Sequence, residues 1–487
     1  MSVPVTEWQL TLDRERAAAR CSAVGERSPI ERSHEAPQHV TPKERTIPSC
    51  VWRKSMRPAL NGGSLRRRAV TVAVPLLAAA LVMTTAACGG SDDPAKPGEK
   101  VKLTIATFGE FGYKDLYKEY MAANPNVEIV ERITKAEDHH KNLAAHLATN
   151  TGAADIEAIE EGWAGQFTAN PGKFYNWNDY GAAEIKAQWP AWKWQQGSSA
   201  KGEVVGLGTD VGGMAMCYRR DIFEKAGLPT DREAVSKLWP TWEEYIATGV
   251  KFKNANIKGS AWMDGPTIMY RSVLGQQPVG IYDADKVVVE TNPGVKKAWD
   301  LTIDAINKGL SAKIAPWSAD WNAGMAKGSF VTLACPSWMM AYIQSQAKDS
   351  SGKWDIAAVP GGGGNWGGSF LTLPKQGKNV AEAAKLAKWL VAPEQQAKVF
   401  RALGNFPSTV SLYEESVIKD FKNPFFNNAP VGQIFSNSVK TMVPQYMGPK
   451  SGDINTAIQN GLTRVEQGKQ KADEAWTQSV KDVNALL

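Results

Sequence analysis

From residue 101 onward the apolar positions change period in a regular way. Val101 to Ala106 alternates with period two, as a half-buried strand does. After the glycines at 109 and 112, Leu116, Tyr117, Tyr120 and Met121 fall on one face of a helix over 113–123. Asn124-Pro125 ends that helix, 127–130 reads as a second strand, 136–149 as a helix with Leu143, Ala144 and Leu147 inward, and 155–159 as a third strand. This alternation predicts an α/β lobe whose ligand sits on the loops after the carboxyl ends of its strands. Those loops are 107–112 and 160–163.

A second α/β series follows a glycine-rich passage. The spacing predicts a helix from Asp221 ending at Gly227, helices over 241–253, 293–308, 319–327 and 337–347, and strands near 259–263, 329–334 and 354–359. Thr241 with Glu244 forms a capping-box pattern that makes Trp242 a core anchor, and Trp299 reads as packed inside its helix. Thr209 to Gly213 reads as a first crossing between lobes and Pro360 to Gly368 as a second. Asn405 to Ser408 then begins the return to the second lobe, which closes with helices between about 452 and 485. The expected layout is 101–209 with 360–405 as lobe 1 and 210–359 with 406–487 as lobe 2.

Upstream, Arg66-Arg67-Arg68 precedes an apolar run from Ala69 to Val82 and then Thr85-Ala-Ala-Cys88-Gly-Gly. The run has the length of a signal-peptide core and falls short of the ~18–20 residues a spanning helix needs. The small residues before Cys88 resemble the lipobox of bacterial lipoproteins, with Thr85 where leucine is usual, which implies an acylated Cys88 at the mature N-terminus. Residues 56–87 are then a signal peptide and 88–100 a polar tether. Residues 1–55 are polar and aperiodic, and read as an extension ahead of a true start near Met56 or as a disordered leader.

That boundary changes the charge. Residues 1–87 hold 13 of the 56 Lys/Arg and 7 of the 50 Asp/Glu, leaving 43 of each. A neutral body argues against nucleic-acid binding. It also leaves Cys217 and Cys335 as the remaining cysteines, either a disulfide or two buried thiols, with no zinc-type spacing. Sixteen of the 18 tryptophans remain as well.

The two ligand loops of the first lobe combine carboxylate, aromatic ring and glycine, the mixture that holds a polyhydroxylated ring. A sugar takes charge-assisted hydrogen bonds and offers an apolar face, of which ~40 Å² covered is worth about 1 kcal/mol. Micromolar affinity needs ~8 kcal/mol, hence several rings. Candidates in loop or glycine-flanked contexts are Trp163, Trp262, Trp321, Trp338 and Trp366, with Phe108, Phe111, Tyr218 and Tyr446 behind them. Rival chemistry is poorly served. Glu160 and Glu161 are adjacent, whereas glycosidase acids flank a bond across a cleft. Asp138, His139, His140 and His146 read as a solvated helix, and Gly361 to Gly368 lacks the Lys-Ser/Thr of a phosphate loop. No cofactor or metal is expected.

Together these runs resemble the extracellular solute-binding proteins of carbohydrate ABC importers, the family that includes maltose-binding protein. The resemblance rests on Lys102-Leu-Thr-Ile, Ala154-Asp-Ile, 216–229, Pro240-Thr-Trp-Glu-Glu, 328–338 and Trp366-Gly-Gly-Ser-Phe. It implies two α/β lobes joined by a multi-crossing hinge, of the type II periplasmic-binding-protein kind, with the ligand between them. Carried over by position, it implies ligand contacts from Phe108, Gly109, Glu110, Phe111, Glu160, Glu161, Trp163, Asp210, Tyr218, Trp338, Trp366, Gly367, Gly368 and Ser369. Trp262, Asp264, Asp320 and Trp321 are weaker placements. Gly212-Gly213 replaces an acid usual in the family, and if the strands bearing Cys217 and Cys335 are neighbours, a disulfide fits. The implied role is a lipid-anchored, monomeric, non-enzymatic protein on the outer face of the cytoplasmic membrane, serving a membrane permease. Aromatic loops poor in basic residues favour a neutral oligosaccharide, first a β-linked one such as cellobiose, then maltodextrins or xylo-oligosaccharides. A glycoside hydrolase or a receptor for a polyamine or amino acid are the alternatives.

Overall fold

The computed structural model describes residues 100–487. Residues 1–99, with the expected leader, signal peptide, Cys88 and most of the expected tether, therefore lie outside the described residues. Two sheets organise the rest. The first is built from β1 (Val101–Phe108), β2 (Val127–Thr134), β3 (Ile156–Glu160), β4 (Gly206–Gly208) and β10 (Ser369–Thr372), in the order β2-β1-β3-β10-β4. β1 runs parallel to β2 and β3, while β10 is antiparallel to β3 and β4. Helices cover both faces, so neighbouring residues of one strand enter different cores: Leu371 packs with Leu103, Ile105 and Leu386, and Phe370 with Ile159, Leu143 and Phe167.

The second sheet holds β6 (Met214–Arg219), β7 (Ala261–Met263), β8 (Phe330–Pro336) and β9 (Trp354–Ala357), in the order β9-β6-β8-β7. Cys217 on β6 and Cys335 on β8 are joined by a disulfide across these antiparallel neighbours, with Cα atoms 5.5 Å apart. The capping box at 241–244 forms, and Trp242 behind it is buried.

β2 continues four residues past the predicted strand, paired with β1 as far as Phe108 and Thr134, and Glu131 on this extension accepts the Tyr117 hydroxyl at 2.9 Å. The helix Val431–Lys440 is not among the expected elements, although Val431, Ile434, Phe435 and Val439 fall on one face, and Val431, Phe435 and Val439 are buried there beside Gly432, Ser436 and Ser438.

Three segments cross between the lobes. β5 (Asp210–Val211) pairs with β11 (Phe406–Pro407), and the third crossing, 365–368, lies against Gly212. Trp366 N donates to Gly212 O at 2.9 Å, and a Cβ at Gly212 would overlap the Trp366 carbonyl. The acid that the resemblance would place near this point could not be accommodated at Gly212.

Candidate functional site

The carboxyl ends of β1 and β3 meet the start of β10 at the hinge, because Ser369 is the register partner of Glu160. In the loop after β1, Gly109 and Glu110 are exposed, Phe108 is half-buried, and Phe111 turns into the core, edge-on to Phe108 at 5.0 Å. After β3, the Glu160 carboxylate accepts the N–H of Gly162 at 2.8 Å and so caps the helix α1 (Glu161–Thr168). The Glu161 carboxylate accepts from Gln196 Nε2 at 2.7 Å and from Asn365 Nδ2, a residue of the crossing segment. Trp163 is half-buried on α1, and the space a Cβ of Gly452 would fill ends 3.5 Å from its ring, which brings lobe 1 against a helix of lobe 2.

His139 and His140 correct the expectation of a solvated helix: both are buried. His139 Nε2 donates to Ala158 O at 2.7 Å. His140 Nδ1 donates to Ala136 O at 2.6 Å and its Nε2 accepts the N–H of Glu160 at 2.9 Å. With both nitrogens engaged in opposite senses the ring is neutral, and burial holds it down to about 3.

At the hinge, Asp210 is buried and accepts from Thr209 Oγ1 at 2.6 Å, while Thr209 N donates to Ser369 O at 2.9 Å. Gly367 and Gly368 have φ of +92° and +103°, a backbone path that residues with a side chain rarely adopt. A Cβ at Gly367 would stand 3.0 Å from Trp338 Nε1 and 3.8 Å from Glu160 Oε1, so lobe 2's tryptophan and lobe 1's carboxylate border the same space. A Cβ at Gly368 would stand 3.0 Å from Lys193 Nζ. Lys193, 1 % exposed, has no hydrogen-bond partner for Nζ among the described residues and lies 3.9 Å over the Phe370 ring. Burial pushes its ammonium down, opposed by Glu161, Asp210 and Glu160. The same burial raises Glu160 and Asp210 and brings Glu161 up to about 7. Arg271 of lobe 2 acts on both glutamates and lies 5.0 Å over the Trp366 ring.

Lobe 2 contributes a cluster of rings at the carboxyl end of β8. Trp338 Nε1 donates to Trp366 O at 2.9 Å, and the two rings meet edge-on at 5.3 Å. Trp317, 51 % exposed, faces Trp338 at 6.1 Å and Tyr342 at 5.3 Å. A strap between the last helices closes one side: Gln445 O accepts from Gln196 of lobe 1 at 3.3 Å, and its side chain donates to Leu274 O of lobe 2 at 2.7 Å.

Glu160, Trp163, Asp210, Trp338, Trp366, Gly367, Gly368 and Ser369 are thus brought together. Other predicted residues are elsewhere. Tyr218 is buried against Phe223 with its hydroxyl on Thr230 O, and Trp262 stacks on Phe223 inside the lobe-2 core. The glycines at 259 and 265 that gave Trp262 a loop context flank a three-residue strand instead. Asp264 and Trp321 are buried and bonded to each other, Asp320 is exposed in the first turn of its helix, and Tyr446 is half-exposed edge-on to Tyr282. Lys193, Arg271, Asn365 and Trp317 carry no role in the sequence reading, and His140 enters it only as part of a solvated helix. Trp317 alone had a signal, its place between Pro316 and the N-cap Ser318.

The family described as bacterial extracellular solute-binding protein matches residues 115–425. A probable ABC transporter-binding protein of Deinococcus radiodurans is 26 % identical over 307 residues, 58 % of this chain and 69 % of that one. An arabinooligosaccharide-binding protein of Halalkalibacterium halodurans is 23 % identical over 383 residues, 72 % of this chain and 81 % of that one. A crystal structure of an extracellular solute-binding protein, family 1, superposes with a TM-score of 0.71 at 46 % identity, covering 79 % of this chain and 99 % of the other.

Proposed function

The chain belongs to the bacterial extracellular solute-binding proteins, and on that premise we propose that it is the sugar-capturing component of an ABC importer. It would hold a neutral oligosaccharide between its lobes and hand it to a membrane permease. The observation that carries this reading is the shared space at Gly367, bordered by the Trp338 indole from lobe 2 and the Glu160 carboxylate from lobe 1. A ligand bound beside these residues would meet the indole of one lobe and the carboxylate of the other, so binding would favour closure. The relative named for arabino-oligosaccharides supports the same class. Within it we place a β-linked oligosaccharide such as cellobiose first, with maltodextrins and xylo-oligosaccharides next. The engaged carboxylates support binding without turnover: Glu160 caps a helix and Glu161 is held by Gln196 and Asn365. Acylation at Cys88 would keep a monomeric receptor beside its permease on the outer face of the membrane.

The test is tryptophan fluorescence during titration with cellobiose, lactose, maltotriose, xylobiose and arabinobiose. A saturable spectral change and a raised Tm with at least one of them is expected. No response from any of them removes the sugar reading, and release of monosaccharide on incubation replaces it with hydrolysis.

A further inference from the structure

The half-exposed rings of lobe 2 lean on one that is wholly buried. Trp321, at 0 % exposure, lies 4.9 Å from Trp317 and 5.6 Å from Tyr342, and stacks on Phe330 beneath at 6.2 Å. The tilt of its plane therefore sets where the two outer rings can rest. Apolar contacts alone fix an indole's tilt weakly, because they have no direction; a hydrogen bond has one. Trp321 has such a bond: its Nε1 donates to Asp264 Oδ2 at 2.7 Å.

Asp264 holds the wall from a second side. It directly follows β7, is 2 % exposed, and its backbone carbonyl accepts from Ile314 N at 3.1 Å. Met263 in turn accepts from Ala312 N at 2.8 Å. The segment that delivers Trp317 is thus stitched to the same short strand whose next side chain fixes Trp321. This pairing is not a default of the lobe interior, since Trp262 and Trp354 bury their Nε1 with no partner among the described residues.

We propose that Asp264 is a positioning residue: it orients Trp321, and through it Trp317 and Tyr342, without itself touching ligand. The inference rests on the oligosaccharide-binding reading above for its consequence on affinity, but its structural part is tested without any sugar. The full-length protein and its Asp264→Ala, Asp264→Asn and Trp321→Phe variants are compared by near-UV circular dichroism and acrylamide quenching, then titrated with cellobiose and the other sugars named above. Asp264→Ala should alter the tryptophan dichroism, increase quenching and weaken binding by about tenfold, the scale of one lost charge-assisted hydrogen bond. Asp264→Asn, which keeps an acceptor oxygen, should restore the dichroism and most of the affinity. The double variant Asp264→Ala/Trp321→Phe should bind no more weakly than Trp321→Phe alone. Wild-type dichroism and quenching in Asp264→Ala, or Asp264→Asn as damaged as Asp264→Ala, overturns the proposal. So do fully additive losses in the double variant, because they mean that Asp264 meets the ligand directly. If no sugar binds the wild type, the functional reading fails while the dichroism and quenching still decide the brace.

Discussion

His140 lies flat against Trp163, ring centroids 5.1 Å apart and planes 9° from parallel, while its Nε2 holds the backbone N–H of Glu160. One buried imidazole therefore stacks on Trp163 and anchors the backbone of Glu160. Its folded-state pKa, about 3, lies below the ~6.5 of an unfolded histidine. Between those values the unfolded chain carries a proton that the folded one does not, so the contribution to stability is complete above about pH 6.5 and falls on acidification by at most ~1.4 kcal/mol per pH unit. His140→Phe should lower stability at pH 7 by about 1–3 kcal/mol, because the Glu160 N–H loses its acceptor, and make the acid slope shallower. His139, also depressed by burial, retains part of it. Urea unfolding from pH 4 to 7.5 measures both.

Lys193 sits in a cluster where the carboxylates of Glu160, Glu161 and Asp210 oppose the cost of burying its charge. Glu161, raised to about 7, favours folding in its protonated form, and that advantage is lost as pH rises through 7. Lys193→Met removes the buried cation and leaves the acids without it. The variant should match or exceed wild-type Tm at pH 5.5, and at pH 8 should lose about 3 kcal/mol, the scale for an uncompensated buried charge. The same sign of change at both pH values contradicts this account.

Gly212→Ala drives a methyl into the Trp366 carbonyl at the crossing, backbone against backbone, where neither side can yield cheaply. A loss of more than about 3 kcal/mol, or failure to accumulate folded protein, is expected. Gly172→Ala, where a Cβ meets nothing within 4 Å, is the control and should stay within about 0.5 kcal/mol.

The Cys217–Cys335 bond closes a loop of 118 residues. Chain entropy then assigns it up to about 5 kcal/mol of stabilisation. Cys217→Ala/Cys335→Ala should unfold at clearly lower denaturant while binding sugar as the wild type does, since both cysteines are buried in the sheet and neither is among the atoms nearest Gly367. Parallel denaturation and fluorescence titration separate the two effects.

Trp317 is half-exposed with φ of +68°, a strained conformation for a bulky side chain. Trp317→Gly relieves that strain but gives up the buried half of the ring, the two effects offset in part, and Tm should fall by no more than a few degrees. Sugar affinity should fall by about tenfold, as loss of one aromatic contact implies. An unchanged affinity removes Trp317 from the site.

The first sheet was readable because its strands and helices each carry their own apolar period, and the capping box at Thr241 because its two partners are three residues apart. Lys193 was not readable. Between Trp192 and Trp194 it looks like a surface lysine, and what it packs against is Phe370, more than a third of the chain away. The histidines of the second helix were misjudged for a related reason: their polar partners, Ala158 O and Glu160 N, are backbone atoms of β3 and leave no mark in sequence. Trp262 and Tyr218 were assigned to the site from context, yet a glycine-bounded tryptophan reads the same in a loop and in a short central strand.

The lobe-2 rings Trp317, Trp321, Trp338 and Tyr342 come from one uninterrupted stretch of chain, whereas the hinge is assembled from three distant ones. Exchanging 317–342 as a single cassette would therefore alter which solutes are admitted, provided Asp264 travels with it and the cassette keeps Cys335 of the disulfide and Ser337, which bonds the crossings at Val211, Gly213 and Phe406.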